Sequence, residues 1–263
     1  MLWHRIISAI IGIPIAIYIF YQGGLSFLFA LLLLSIIGQR EIIRMLISTG
    51  VNVLAPVIYS SGIAFIFSAY FLPALFFQGV ILAAILFIFF LFVVLFPKIT
   101  LMDIGSNLLA VFYPGFLFSL LILLRNISEL GFTYILLAFL LTWSSDTFAY
   151  FVGRAFGKQK LAPSLSPNKT REGAIGGLLG TILISVLFSN FFLDISIYWA
   201  ILIGACSSLL AQLGDLCESG LKRLANVKDS GNLIPGHGGV LDRFDSILFV
   251  GPVLYYLLLI ISF

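Results

Sequence analysis

The sequence predicts an all-α polytopic integral membrane protein of about nine transmembrane helices, with its N-terminus cytoplasmic and a polar site at the cytoplasmic face. Three observations carry that prediction. Of the 263 residues, 61% are hydrophobic and only 10% charged, and the mean hydropathy is +1.18; soluble chains carry roughly 25% charged residues. Apolar runs of about 15–22 residues recur along the whole chain, the length a helix needs to cross hydrocarbon. The basic residues also alternate with the runs in a way that only one topology satisfies.

The runs fall at 6–22, 24–39, 53–72, 77–96, 104–124, 131–152, 173–193, 196–220 and 246–263. Gln22, Gly23 and Gly24 turn the first into the second, Pro73 divides the third from the fourth, and Pro97 stops the fourth. With the N-terminus inside, thirteen basic residues lie in cytoplasmic segments: Arg5, Arg40, Arg44, Lys98, Arg154, Lys158, Lys160, Lys169, Arg171, Lys222, Arg223, Lys228 and Arg243. Only Arg125 lies outside. Cytoplasmic loops of membrane proteins are enriched in Lys and Arg, and a helix more or fewer before position 150 would scramble the bias. The short basic start followed by a long apolar run, with no small-residue cleavage site, reads as a retained first helix.

Residues 1–130 read as N-terminal scaffold helices, with ionisable groups such as Asp103 confined to helix ends. Residues 131–263 read as the catalytic helices of the same continuous membrane domain, with cytoplasmic loops 153–172 and 221–245. No internal repeat is visible, so an inverted-repeat transporter is not indicated. Cys206 and Cys217 share one predicted helix, where eleven residues separate them by ~16 Å, too far for a disulfide. Gly173, Gly176, Gly177 and Gly180 form two overlapping small-xxx-small pairs, the pattern of close helix packing.

The chemistry concentrates in Ser219–Asp245, SGLKRLANVKDSGNLIPGHGGVLDRFD. Lys222, Arg223, Lys228, Arg243, Asp229, Asp242, Asp245, His237 and five glycines occupy these 27 positions, and such a segment cannot rest in hydrocarbon. Two further carboxylates, Asp146 and Asp215, fall inside apolar runs, where an ionisable side chain costs at least ~2.5–3.5 kcal/mol and is a functional candidate by default. Ser208, Gln212, Asp215 and Ser219 form one helical stripe, and Thr142, Asp146 and Tyr150 a shorter one; two polar stripes in lipid must face each other or water. Glu218, nearer the surface, reads as a solvated helix end or a ligand. Asp242 and Asp245 lie three apart near the last helix start, where they also suit its dipole.

With Asp146 and Asp215 these two acids supply hard oxygen donors, which suit Mg²⁺ rather than zinc. Pro235-Gly236-His237-Gly238-Gly239 exposes backbone N–H groups as anion-binding loops do. Beside Lys222, Arg223, Lys228 and Arg243 it makes a triphosphate cradle, to which Lys169 and Arg171 of the other loop add cations. The alternatives are basic loops that merely set topology, and a membrane ion or solute transporter that uses buried Asp146 and Asp215.

This stretch resembles the phosphatidate cytidylyltransferase (CDP-diacylglycerol synthase) family. The residues that carry the likeness are Ser219, Lys222-Arg223, Lys228-Asp229, Gly231, Pro235, His237-Gly238-Gly239, Asp242-Arg243 and Asp245. Asp146 and the segment SPNKTREGAIGG also look like that family. The Asp-Gly-x-x-Ala-Arg string of CDP-alcohol phosphotransferases does not occur. The resemblance implies that CTP and phosphatidic acid give CDP-diacylglycerol and pyrophosphate in phospholipid biosynthesis, with Mg²⁺ required and a second metal ion left open. It implies Asp215, Asp242 and Asp245 as metal ligands, with Asp146 a further ligand or support. Lys222, His237 and these acids are the catalytic set, His237 orienting a phosphate or moving a proton. Lys169, Arg171, Ser219, Arg223, Lys228, Gly238, Gly239 and Arg243 bind substrate. The expected partners are the two substrates and the bilayer, with no nucleic acid and a homodimer left open. Compact length and short loops favour a multi-pass protein of a bacterial inner membrane, its site facing the cytoplasm.

Overall fold

The computed structural model describes the backbone of residues 2–232 and 238–262, and the side chains of residues 10, 12–232 and 238–261. The chain gathers into two compact units. Residues Met1–Leu123 with Leu224–Arg243 form the first, and Leu124–Arg223 with Phe244–Phe263 the second.

The first unit contains α1 (Leu2–Gln22), α2 (Gly24–Ser48), α3 (Ala55–Phe71), α4 (Ala74–Leu95) and α5 (Leu101–Ala110). A π-helical turn, Val111–Phe116, runs from α5 toward α6 (Leu117–Asn126). Pro114 stands inside this turn; it lacks an N–H and cannot continue an α-helical ladder, so the span read as one regular helix over 104–124 is interrupted. Gly38 of α2 admits the interruption: a Cβ there would stand 3.1 Å from Pro114 Cβ and 3.2 Å from Leu241 Cδ2. The unit's interior includes Leu28, Ile42, Ile58, Phe65, Val111 and Phe118, all fully enclosed, and the buried polar groups Gln39 and Glu41 of α2. On α4 only Phe77 and Ile88 are buried, which suits a lipid-facing helix.

Asp103 earns its place at the start of α5. Its Oδ2 accepts Thr100 N–H at 2.7 Å while Thr100 Oγ1 accepts Asp103 N–H at 3.2 Å, a reciprocal cap. Its Oδ1 accepts Asn52 N–H at 2.6 Å, and Asn107 Oδ1 accepts Leu54 N–H at 2.7 Å. The two side chains thereby hold the connection between α2 and α3.

The second unit contains α7 (Gly131–Phe156), α8 (Arg171–Phe192), α9 (Ile197–Leu224) and α11 (Ile247–Ser262), with the short α10 (Leu241–Phe244) leading into it. The glycine face of α8 packs on α7. A Cβ on Gly173 would lie 2.7 Å from Ala149 O, and one on Gly177 2.9 Å from Ser145 O; the small-residue pattern serves close approach, as expected.

One element departs from the all-α expectation. In the segment read as the loop 153–172, β1 (Lys160–Ala162) pairs antiparallel with β2 (Ser166–Thr170), Lys160 opposite Thr170 and Ala162 opposite Ser166. Its strands are three and five residues long, and Pro167 lies within the second, which erases the usual strand signature. Arg171 N–H donates to Gln159 O at 2.8 Å and Lys158 N–H to Glu172 Oε2 at 3.1 Å, closing the hairpin onto α8.

Among the described residues six helical spans are long and apolar enough to cross a membrane: Gly24–Ser48, Ala74–Leu95, Leu101–Asn126, Gly131–Phe156, Arg171–Phe192 and Ile197–Leu224. Three more apolar helices, Gly12–Gln22, Ala55–Phe71 and Ile247–Ile261, are shorter. The protein is thus a helical, multi-pass membrane protein.

Candidate active site

A cavity of about 430 Å³ opens within the second unit, a size common for small-molecule sites. Successive turns of α7 deliver Asp146, Tyr150 and Arg154 to it, the β-hairpin delivers Asn168 and Lys169, and α9 delivers Gln212 and Asp215. The hairpin matters here because it carries a lysine from a surface loop to a carboxylate on a membrane helix: Lys169 Nζ lies 2.5 Å from Asp215 Oδ2.

The predicted stripe on α9 is realised. Gln212 Nε2 donates to Ser208 Oγ and to Ala174 O, each at 3.1 Å, and Ser219 Oγ donates to Asp215 Oδ1 at 3.4 Å. The α7 stripe is only partly so. Thr142 gives its hydroxyl to Ala138 O of its own helix at 2.9 Å, and Tyr150 OH accepts from Arg154 at 3.0 Å. The hydroxyl that meets α9 is Ser145, 3.1 Å from Ser208 Oγ.

Glu218 differs from the sequence reading. Its side chain is fully enclosed and forms an ion pair with Lys222 one turn on; burial at this depth requires such a partner. Asp245 lies in the turn between α10 and α11. Burial, and then the Asp215 carboxylate, push its pKa up to about 7, with Asp146 adding to the rise while Ser246 N–H and Lys222 oppose it. Asp146 and Asp215 line the cavity beside Lys169 and Arg154, and both acids lie close enough to Asp245 for their charges to act on it.

Carboxylates that act on one another at this range, with oxygen donors alone, suit a divalent hard cation. Among the described residues no three acidic, histidine or cysteine side chains are gathered so as to ligate one ion. The fit is therefore to an ion that takes one or two carboxylates and fills its other positions with water and phosphate oxygen, as Mg²⁺ does.

Asp242 lies in the first unit, as the acid of a tight turn. Its Oδ2 accepts Ser230 N–H and Gly239 N–H at 2.8 Å and Ser230 Oγ–H at 2.9 Å. Gly238, at φ +82°, makes the turn possible. The Gly239 N–H, offered by the sequence reading to a phosphate, donates to this carboxylate instead. Glu41 of α2 closes the same turn, accepting Val240 N–H at 2.8 Å and Leu241 N–H and Ser230 Oγ–H at 2.9 Å. Sequence reading passed over Glu41, whose partners lie some 190–200 residues further on.

The remaining cations are distributed unevenly. Arg171 bonds Gln159 Oε1 at 3.3 Å on the exposed side of the hairpin, outside the cavity lining, and Arg223 Nε donates to Leu165 O at 3.3 Å. Lys228 and Arg243 are exposed. Arg154, counted only as a topology charge, lines the cavity. His237 lies outside the described residues.

A sequence model of the cytidylyltransferase family matches residues 3–261. The chain belongs to the cytidylyltransferase family. It is 48% identical over 161 residues to the phosphatidate cytidylyltransferase of Bacillus subtilis (strain 168), covering 61% of this chain and 60% of that one. To the phosphatidate cytidylyltransferases of Staphylococcus epidermidis (strain ATCC 12228 / FDA PCI 1200) and Staphylococcus aureus (strain COL) it is 39% and 40% identical, over 97% of this chain and 98% of each relative. Membership of a cytidylyltransferase family leaves the transporter reading of Asp146 and Asp215 without support.

Proposed function

We propose that this cytidylyltransferase moves the cytidylyl group of CTP onto phosphatidic acid, forming CDP-diacylglycerol and pyrophosphate. The observation that carries this reading is the near full-length similarity to phosphatidate cytidylyltransferases. A phosphate oxygen of the lipid attacks the α-phosphorus of CTP, the bond to the bridging oxygen of the β-phosphate breaks, and pyrophosphate leaves. Little covalent chemistry is asked of the protein in such a transfer; positioning and charge neutralisation dominate.

Lys169 and Arg154 meet the triphosphate in the cavity, with Lys222 behind them; Lys169 exchanges its contact with Asp215 for a phosphate oxygen. Asp215 and Asp245 would hold Mg²⁺ with Asp146 in support; for Asp242 the family pattern implies a ligating role. Mg²⁺, when bound, neutralises phosphate charge and aligns the α-phosphate. Arg223, Lys228 and Arg243 draw the nucleotide to the cytoplasmic surface. In this reading the chain crosses a bacterial inner membrane nine times with its N-terminus inside, so that CTP arrives from the cytoplasm and phosphatidate from the leaflet.

The test uses two preparations of CTP, labelled at the α- or the γ-phosphorus, with phosphatidate and Mg²⁺. Label from the α-position enters the lipid fraction and label from the γ-position leaves as pyrophosphate. Lipid labelled from the γ-position would instead mean phosphoryl transfer and would overturn the reading.

A further inference from the structure

Glu41 is a carboxylate on a membrane-spanning helix, 3% exposed, with no part in the transfer derived above. All of its hydrogen bonds described here run to the turn that carries Asp242. Oε1 accepts Val240 N–H, and Oε2 accepts Leu241 N–H and Ser230 Oγ–H. Ser230 Oγ stands 2.9 Å from both Glu41 Oε2 and Asp242 Oδ2, and it has one proton to share between them. The two carboxylates are thus tied through a single hydroxyl. Glycines keep the space around Glu41 open: a Cβ on Gly231 would lie 2.6 Å from Oε1 and one on Gly239 2.5 Å from it. A carboxylate lodged this deep is costly unless its acceptors are filled, and backbone N–H groups fill them here.

We propose that Glu41 is a positioning residue of the cytidylyl transfer, clamping residues 238–242 so that Asp242 is presented in one orientation. The inference rests on the proposed function and deepens it by one residue. Its logic is that of an outer-shell group: the acid that handles the ion is itself held by a partner that fixes its direction. The shape of the clamp also dictates how it fails. A glutamine in place of Glu41 keeps the volume but carries one acceptor oxygen. Its amide NH₂ must then face either the Val240 N–H or the Leu241 N–H with Ser230 Oγ, so the turn opens on one side while the helix is spared.

The test compares full-length wild type, Glu41→Gln, Ser230→Ala and Asp242→Asn in detergent–phosphatidate micelles, with kcat, KM for phosphatidate and the half-activating Mg²⁺ concentration measured on protein of verified thermal midpoint. Glu41→Gln is expected to lose about 10–100-fold in kcat and to need more Mg²⁺ for half-activation, while KM for phosphatidate stays within about twofold. Ser230→Ala, which cuts the tie between the carboxylates without leaving a buried charge bare, shifts Mg²⁺ activation in the same direction by a smaller factor. Should Glu41→Gln fail to fold, Ser230→Ala decides. Folded variants whose kcat and Mg²⁺ response match wild type, beside an inactive Asp242→Asn, would overturn the positioning role alone. An inactive wild type would instead remove the proposed function beneath it.

Discussion

Two groups of acids in this protein share a membrane setting and differ in what satisfies them. In the first unit Glu41 and Asp242 are filled by backbone N–H groups and the Ser230 hydroxyl. In the second, Asp215 is met by a lysine from a hairpin, and it and Asp146 line a cavity. Backbone donors are fixed by the fold and do not leave, so they hold Glu41 and Asp242 in one orientation. A lysine ammonium on a flexible stem can exchange one oxygen for another, so the second group is poised for a ligand. The contrast teaches that burial of a carboxylate marks importance, and its donors tell whether its direction is fixed by the backbone or set by a side chain that can exchange partners.

The comparison can be pressed hardest at Asp215. Asparagine there keeps the Ser219 contact but removes the charge, and turnover is expected to fall by about 10²–10³-fold or more with folding intact; cytidylyl transfer on purified protein reads it. Lys169→Ala should come next, with about a 10²-fold loss of kcat/KM for CTP, since it removes a lysine that lines the cavity. Arginines sharpen the distinction further. Arg154→Ala is expected to raise KM for CTP by about tenfold, the worth of a charge-assisted contact, whereas Arg171→Ala, whose guanidinium bonds Gln159, should stay within about threefold. Equal losses at the two arginines would dissolve the boundary drawn around the cavity.

The smallest effect is one of pH. Asp245 titrates near 7 in the folded chain against an ordinary 3.8, so between those values the native state binds more protons than the unfolded one. Without an ion, stability contributed by this group is present below about pH 4 and is lost as pH rises through about 7. An ion at this group competes with that proton at low pH and meets none at high pH. Mg²⁺ should therefore raise the thermal midpoint more at about pH 8 than at about pH 5.5, and Asp245→Asn should level the two shifts. Equal Mg²⁺ shifts in wild type at both values would detach the ion from Asp245.

Much of this architecture was legible before any coordinates. Apolar runs mark helices because hydrocarbon demands them, and the stripe through Ser208, Gln212, Asp215 and Ser219 follows from helical spacing alone. The glycines of α8 announced close packing on α7. What escaped depends on contacts between distant segments. Glu41 sits beside Arg40 and Arg44 and looks like one more charge at a helix end; its meaning comes from Ser230, Val240 and Leu241. Glu218 reads from sequence as a solvated helix end or a ligand, since sequence does not reveal which side of a helix end is covered. The hairpin that brings Lys169 to Asp215 has strands too short, and too interrupted by proline, to show a period. Arg154 and Arg171 are alike in sequence, and only the hairpin separates them.

The most direct measurement is transfer of α-labelled CTP into phosphatidate by folded Asp215→Asn beside wild type, with Mg²⁺ present. The account predicts label in lipid for wild type and, for the variant, none above the level without enzyme. Transfer by Asp215→Asn at close to the wild-type rate would contradict it, and would return the cavity-facing carboxylates to the role of buried architecture.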